Sequence, residues 1–172
     1  MATNTDSNTN QVTPDQLSKE KTINITRIFD LSPDKVWKAW TEPESAKKWW
    51  GPKDFTCPYC SIDLKEGGKY LNCMRSPSGD DFWSTGVYQE IIPYKKLVFT
   101  DSFSDEKGNI IPASDLKMPG NWPLELLVTV TFEETGGKTK MELQHVGIPP
   151  EMYKDCQTGW QQSFDKLQEN LK

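Results

Sequence analysis

The sequence predicts an α+β fold in which a curved antiparallel sheet is wrapped on one long carboxy-terminal helix, and three observations point there. From Pro149 to Lys172 the residues Met152, Cys156, Trp160, Phe164, Leu167 and Leu171 recur every three or four positions, the period of one helix face. The other side of that helix, with Lys154, Asp155, Gln161, Asp165 and Glu169, is polar, so the apolar stripe needs a partner surface from earlier in the chain. Two runs upstream, roughly 123–134 and 138–146, alternate with period two and meet at Gly136-Gly137, as an antiparallel hairpin does.

In chain order, residues 1–20 are rich in Asn, Thr, Ser, Gln and Asp and have almost nothing to bury, so a disordered polar tail is expected before a single domain at 21–172. Ile23, Ile25 and then Ile28 or Phe29 mark a first strand. Ser32 followed by Pro33 is a helix-start signal, and Val36, Trp37 and Trp40 give the short helix a buried side. Thr41 and Pro43 repeat the signal for a second short helix, running from Glu42 or Pro43 to about Trp50 and stopping at Gly51-Pro52.

Six further strands follow, at roughly 53–64, 69–76, 82–92, 96–103, 123–134 and 138–146, making about seven in all. The Gly136-Gly137 turn places Leu124, Leu126, Val128, Val130 and Phe132 on the same sheet face as Met141, Leu143 and His145. Between Ser104 and Trp122 no period is sustained. A connection of that length reads either as a lid that closes Trp122 over a cavity mouth or as a surface insertion with one packed Trp.

The chain has 172 residues and a net charge of −5, with no dense Lys/Arg run, which argues against nucleic acid or an anionic membrane surface as partners. No apolar run is long enough to span a membrane and the amino terminus has no export pattern, so a cytoplasmic protein is expected. There are 7 Trp, whose amphipathic rings line pockets as well as cores.

Trp49-Trp50-Gly51-Pro52, then Asp63-Leu64-Lys65-Glu66-Gly67-Gly68-Lys69, then Gly86-Val87-Tyr88 with Leu97-Val98-Phe99, and finally Gly159-Trp160 before Leu167 occur in this order over about residues 22–172. Together they resemble the domain related to the activator of the ninety-kilodalton heat-shock protein's ATPase. That domain lies within the superfamily of steroidogenic-acute-regulatory-related lipid-transfer domains, polyketide cyclases and the birch-pollen allergen. The resemblance implies a helix-grip fold with a cavity between sheet and long helix. It implies binding of a small apolar molecule, lipid-like or aromatic, as the function, with two alternatives: a protein-interaction module for a chaperone, and a cyclase-like enzyme, for which the residues themselves offer His145.

For that cavity the candidate ligand-binding residues are Trp49, Trp50, Phe55, Trp83, Asp101, Trp122, His145, Trp160 and Phe164. The aromatic residues also fit plain core positions. His145 stands out, because an imidazole on an apolar face needs a partner or a ligand. Asp101 shares parity with Leu97, Phe99 and Phe103 and is a second inward polar group. No catalytic residue, metal or cofactor is expected: phosphate loops, His-Glu-x-x-His and calcium-loop spacings are all missing.

Cys57-Pro58-Tyr59-Cys60 matches the glutaredoxin redox motif as a string. That chemistry needs the first thiol at a helix start, whereas Ser61-Ile62-Asp63-Leu64 runs on as a strand. With a turn at Glu66-Gly67, Cys60 falls opposite Cys73, and buried free thiols on neighbouring strands are expected.

Overall fold

The computed structural model describes residues 21–172; the tail expected at 1–20 lies outside the described residues. The order is β1 (Lys21–Phe29), α1 (Pro33–Thr41), α2 (Pro43–Ala46), β2 (Thr56–Ile62), β3 (Lys69–Arg75), β4 (Asp81–Ile92), β5 (Lys96–Ser104), β6 (Leu126–Thr135), β7 (Lys138–Ile148) and α3 (Tyr153–Asn170). Short 3-10 turns occupy Ala113–Leu116 and Pro150–Met152. The strands form one curved antiparallel sheet in the order β1-β7-β6-β5-β4-β3-β2, with α3 against its concave face: the helix-grip arrangement.

Local chemistry explains the early elements. Ser32 caps α1 by accepting the Lys35 N–H, and Pro33 occupies the first helical position. α2 is shorter than the sequence suggests. Its chain continues as turns to Trp49, whose indole N–H donates to the Ala39 carbonyl at 2.8 Å, and Gly51, at φ +103°, then redirects the backbone. On β1 the buried residues are Ile23, Ile25 and Phe29, while Ile28 is exposed.

Two registers depart from expectation by small amounts. β6 begins at Leu126, not near 123, and Leu124 is 59% exposed. Pro123 has no N–H to offer a ladder, and the last rung toward β5 is Asp101 with Leu126. In β2 and β3, Tyr59 faces Cys73 and Cys60 faces Asn72, so Cys60 is not opposite Cys73. The reason lies in the turn: Gly67 donates to the Tyr88 carbonyl and Tyr88 donates back to Gly68, which ties the glycines to β4 and widens the loop.

The Gly136-Gly137 hairpin behaves as read. Thr135 pairs with Lys138 around two glycines at φ +59° and +80°, values that an Asn-Gly or Gly-Gly turn reaches without strain. Phe132, Val130 and Val128 then face Met141, Leu143 and His145 in turn. This is the inner face of the sheet, and it carries His145 to the end of β7, beside α3.

α3 is held along its carboxy-terminal half from both sides. From β1, Arg27 donates to Asp165 Oδ1 at 2.7 Å and to Gln161 Oε1 at 3.0 Å, and the Asp30 N–H reaches Gln168. From the opposite side, Lys166 Nζ donates to the carbonyls of Pro52 and Phe55, the Lys53 N–H reaches Gln162, and Asn170 reaches the Lys48 carbonyl. Between these clasps Phe164 and Leu167 are completely buried, each contributing roughly 1.5–3 kcal/mol by burial. Trp40 anchors the aromatic core, with Trp49, Trp50, Phe99, Phe132, Trp160 and Phe164 all within 6.4 Å of it, ring centre to ring centre.

Candidate functional site

Ahead of Phe164, α3 turns small side chains as well as Trp160 toward the sheet. There the inner face carries Cys156, Gly159 and Ser163, and a cavity of about 300 Å³ lies under them, open to solvent. Its walls come from Trp50 to Pro52, Met74 on β3, Ser84 on β4, Asp101 to Phe103 on β5, Leu126 on β6, His145 on β7, and Met118 and Trp122 from the long connection. A pocket of this size, mostly apolar with a few polar groups, has the build of a small-molecule site.

The connection between β5 and β6 divides into two parts. Its first part folds on itself, with a bridge between Ser104 and Ile110 and with Asp105 Oδ1 accepting the N–H groups of Lys107 and Asn109. Its second part forms the cavity rim. Gly120, at φ +95°, sits so close to Pro149 that a Cβ would lie 2.7 Å from that ring, and only glycine permits the approach. The Trp122 indole N–H donates to the Pro119 carbonyl at 2.8 Å, and its ring meets Phe103 edge-on at 5.2 Å.

Of the nine candidates, Trp50, Asp101, Trp122, His145 and Trp160 line the cavity together. Trp49 and Phe164 lie one layer behind it, fully buried in the aromatic core. Phe55 and Trp83 lie elsewhere. Phe55 packs on Phe82, and Trp83 packs on Tyr59, because strand alternation gives the inner face to its neighbour Ser84. Sequence reasoning did not place Met74, Met118, Met152 or Cys156 here. Cys156 and Met152 belong to the helical stripe, and Met74 shares parity with Tyr70 and Asn72, so that signal was available.

The polar groups form a chain. Trp160 Nε1–H, which can only donate, is 3.0 Å from His145 Nδ1, so that nitrogen carries the lone pair and the proton sits on Nε2. Nε2 lies 3.3 Å from Asp101 Oδ2, close enough for attraction but out of hydrogen-bond alignment, and it is buried with no hydrogen-bond partner. Asp101 Oδ1 accepts from the Tyr70 hydroxyl at 3.0 Å; the same hydroxyl is 3.1 Å from the Thr100 carbonyl. Burial first, and the Asp101 charge second, push the Tyr70 phenol well above its ordinary range, so it stays a proton donor.

This arrangement limits the chemistry. His145 presents no unshared lone pair to the cavity, so general-base catalysis through its imidazole has no free atom to begin from. The charged side chains on the walls are Asp101 and, at the rim, the exposed Asp155; no Lys or Arg is among the lining residues. Among the described residues no cluster of His, Cys, Asp or Glu could hold a metal ion.

The thiols have no redox geometry. Cys57 and Cys60 lie on β2, buried against α2, and desolvation raises both, Cys60 to about 12. Cys156, on the cavity wall, is raised to about 11 by burial and then by the Asp101 charge. Each is a protonated thiol at neutral pH.

The family model described as Activator of Hsp90 ATPase homolog 1-like protein matches residues 30–172. Protein CV1439 from Chromobacterium violaceum has a similar structure, with a TM-score of 0.72 and 26% identity, covering 87% of this chain and 96% of that one. Protein Ms6760 from Mycobacterium smegmatis gives a TM-score of 0.73 at 20% identity, covering 91% of this chain and 93% of that one. The AHSA1 (SPO3351) protein from Silicibacter pomeroyi gives 0.69 at 21% identity, covering 88% and 97%. No curated protein matches the sequence. No helix among the described residues is long and apolar enough to cross a membrane.

Proposed function

The chain belongs to the family of Activator of Hsp90 ATPase homolog 1-like proteins, and from that premise we propose that it binds a small apolar molecule, aromatic or lipid-like, in the cavity between the sheet and the amino-terminal half of α3. The observation that carries this reading is the cavity itself: about 300 Å³ of space beneath a helix that is otherwise tightly clasped. A core with no task there would gain by filling it, since each 100 Å² of apolar surface buried contributes about 2.5 kcal/mol. The rim segment adds support, because Met118 and Trp122 shield the mouth and reduce contact of a bound molecule with water.

The location proposed with this function is the cytoplasm, whose reducing conditions suit four thiols, three of them buried. Native mass spectrometry of protein purified from its own source tests the reading. The expected result is a noncovalent adduct that dissociates on denaturation. The bare polypeptide mass in every preparation, together with no binding of added apolar probes, would overturn it.

The family's description favours a second reading, an interaction with a chaperone of the Hsp90 class. Its test is the chaperone's ATPase rate with and without this protein; an unchanged rate at saturating protein removes it.

A further inference from the structure

We propose that the molecule taken by this cavity ends in a neutral hydroxyl, received between His145 and Asp101. The inference rests on the cavity reading above and adds the chemistry of the ligand's polar end. Three observations support it. His145 is 5% exposed, and its Nε2–H is a buried donor with no hydrogen-bond partner in the protein. Trp160 fixes the proton on that nitrogen, so an incoming group must accept from it. Asp101, a quarter exposed, receives the Tyr70 hydroxyl on Oδ1 and keeps acceptor capacity on Oδ2, 3.3 Å from Nε2. An incoming group must therefore also donate.

A hydroxyl does both at one atom. Its oxygen accepts from His145 Nε2 and its proton goes to Asp101. A carboxylate fails on charge: it would lie beside Asp101 in an apolar enclosure, with Asp155 at the rim and no Lys or Arg on the walls. An ammonium suits the two carboxylates but has no lone pair for His145 Nε2–H, and so leaves that buried donor unmet. A hydrocarbon leaves both groups unmet. Selectivity of this kind, against analogues that leave a site's polar groups unpaired, is the kind that polar sites enforce most strongly.

Four probes that share one naphthalene body test it: 2-naphthol, 2-methylnaphthalene, 2-naphthoate and 2-(aminomethyl)naphthalene, titrated into the full chain by calorimetry at pH 7. The expected order places 2-naphthol at least tenfold tighter than 2-methylnaphthalene, with 2-naphthoate the weakest and the amine weaker than the naphthol. In Asp101→Asn, which keeps an acceptor for Tyr70 but removes the charge, the gap between naphthol and naphthoate should narrow at least tenfold. Affinity for 2-methylnaphthalene should hold, and this also reports that the variant is folded; should that variant not fold, His145→Gln is read the same way, with the naphthol's advantage over methylnaphthalene falling at least fivefold. Equal binding of naphthol and methylnaphthalene, tightest binding of the naphthoate or the amine, or unchanged preferences in the folded variant would each overturn the hydroxyl while leaving the cavity reading intact. Failure of all four probes to bind would overturn the hydroxyl, and together with the bare polypeptide mass in native mass spectrometry it would overturn the cavity reading as well.

Discussion

The indole N–H of Trp160 is bonded to Nδ1 of His145 at 3.0 Å, joining α3 to the end of β7 across the cavity wall. The bond ties the position of the helix to the tautomer of the only histidine. Trp160→Phe keeps most of the ring area and deletes the donor. Losing one partner of a half-buried hydrogen bond costs about 1–3 kcal/mol, so the urea midpoint should fall with an unchanged slope. Nitrogen-15 chemical shifts should report the second consequence: His145, released from Trp160, should begin to exchange between its two tautomers.

The reasons this site was only partly legible follow from its residues. Periods carried most of the fold. The helical stripe located α3, and strand alternation with the Gly-Gly turn set β6 against β7 in register, which put His145 on the inner face. Parity on β5 did the same for Asp101. What period cannot give is depth. Trp49 and Trp50 are adjacent and equally aromatic, yet Trp49 is fully buried, bonded to the Ala39 carbonyl and packed on Trp40 and Phe164, while Trp50 meets Trp160 and lines the cavity. Nor could it give the cavity's cause, since an empty space arises from small residues, Gly159 and Ser163, that carry no apolar signal of their own.

Phe164 on α3 and Met152 in the turn that leads into it continue one apolar stripe but lie on different ground. Phe164 is completely buried, in contact with Phe29, Trp40, Trp49 and Trp160. Phe164→Ala should cost about 3–5 kcal/mol. Met152 borders the cavity and is half-buried, so Met152→Ala should cost about 1 kcal/mol or less. Equal losses in chemical denaturation would mean that the two ends of the helix are held alike, against the clasp described above.

Stability should decline in alkali. Burial raises Cys57, raises Cys60 to about 12 and Cys73 and Cys156 to about 11, and also raises Tyr70 and Tyr88. The unfolded chain releases thiol protons near pH 8.5, while the folded chain keeps them. The folded state therefore binds more protons, and stability is lost as pH climbs from about 8.5 toward 11 and 12. Lys166, lowered by desolvation, acts in the opposite sense, but it is one group against six. Urea midpoints at pH 7, 8.5 and 10 should fall in that order, and iodoacetamide at pH 8 should label native Cys60, Cys73 and Cys156 roughly a hundredfold more slowly than the denatured thiols.

Filling the cavity should separate stability from binding. Cys156 stands on the cavity wall, half-buried and without a structural hydrogen bond of its own, and it faces a space of about 300 Å³. Cys156→Phe places an aromatic ring into that space from the turn of α3 before Gly159, so it need not displace the core residues Phe164 and Leu167 two and three turns further along. Added apolar contact should leave the protein as stable as before or raise its stability by about 1 kcal/mol, whereas the same ring in a filled core would cost about 1–3 kcal/mol by overpacking. Binding of the naphthalene probes should fall at least tenfold in the same variant. A variant that is destabilised and still binds them would place the ligand somewhere other than beneath the amino-terminal half of α3, and would leave the gap between Cys156 and His145 as a packing defect with no occupant.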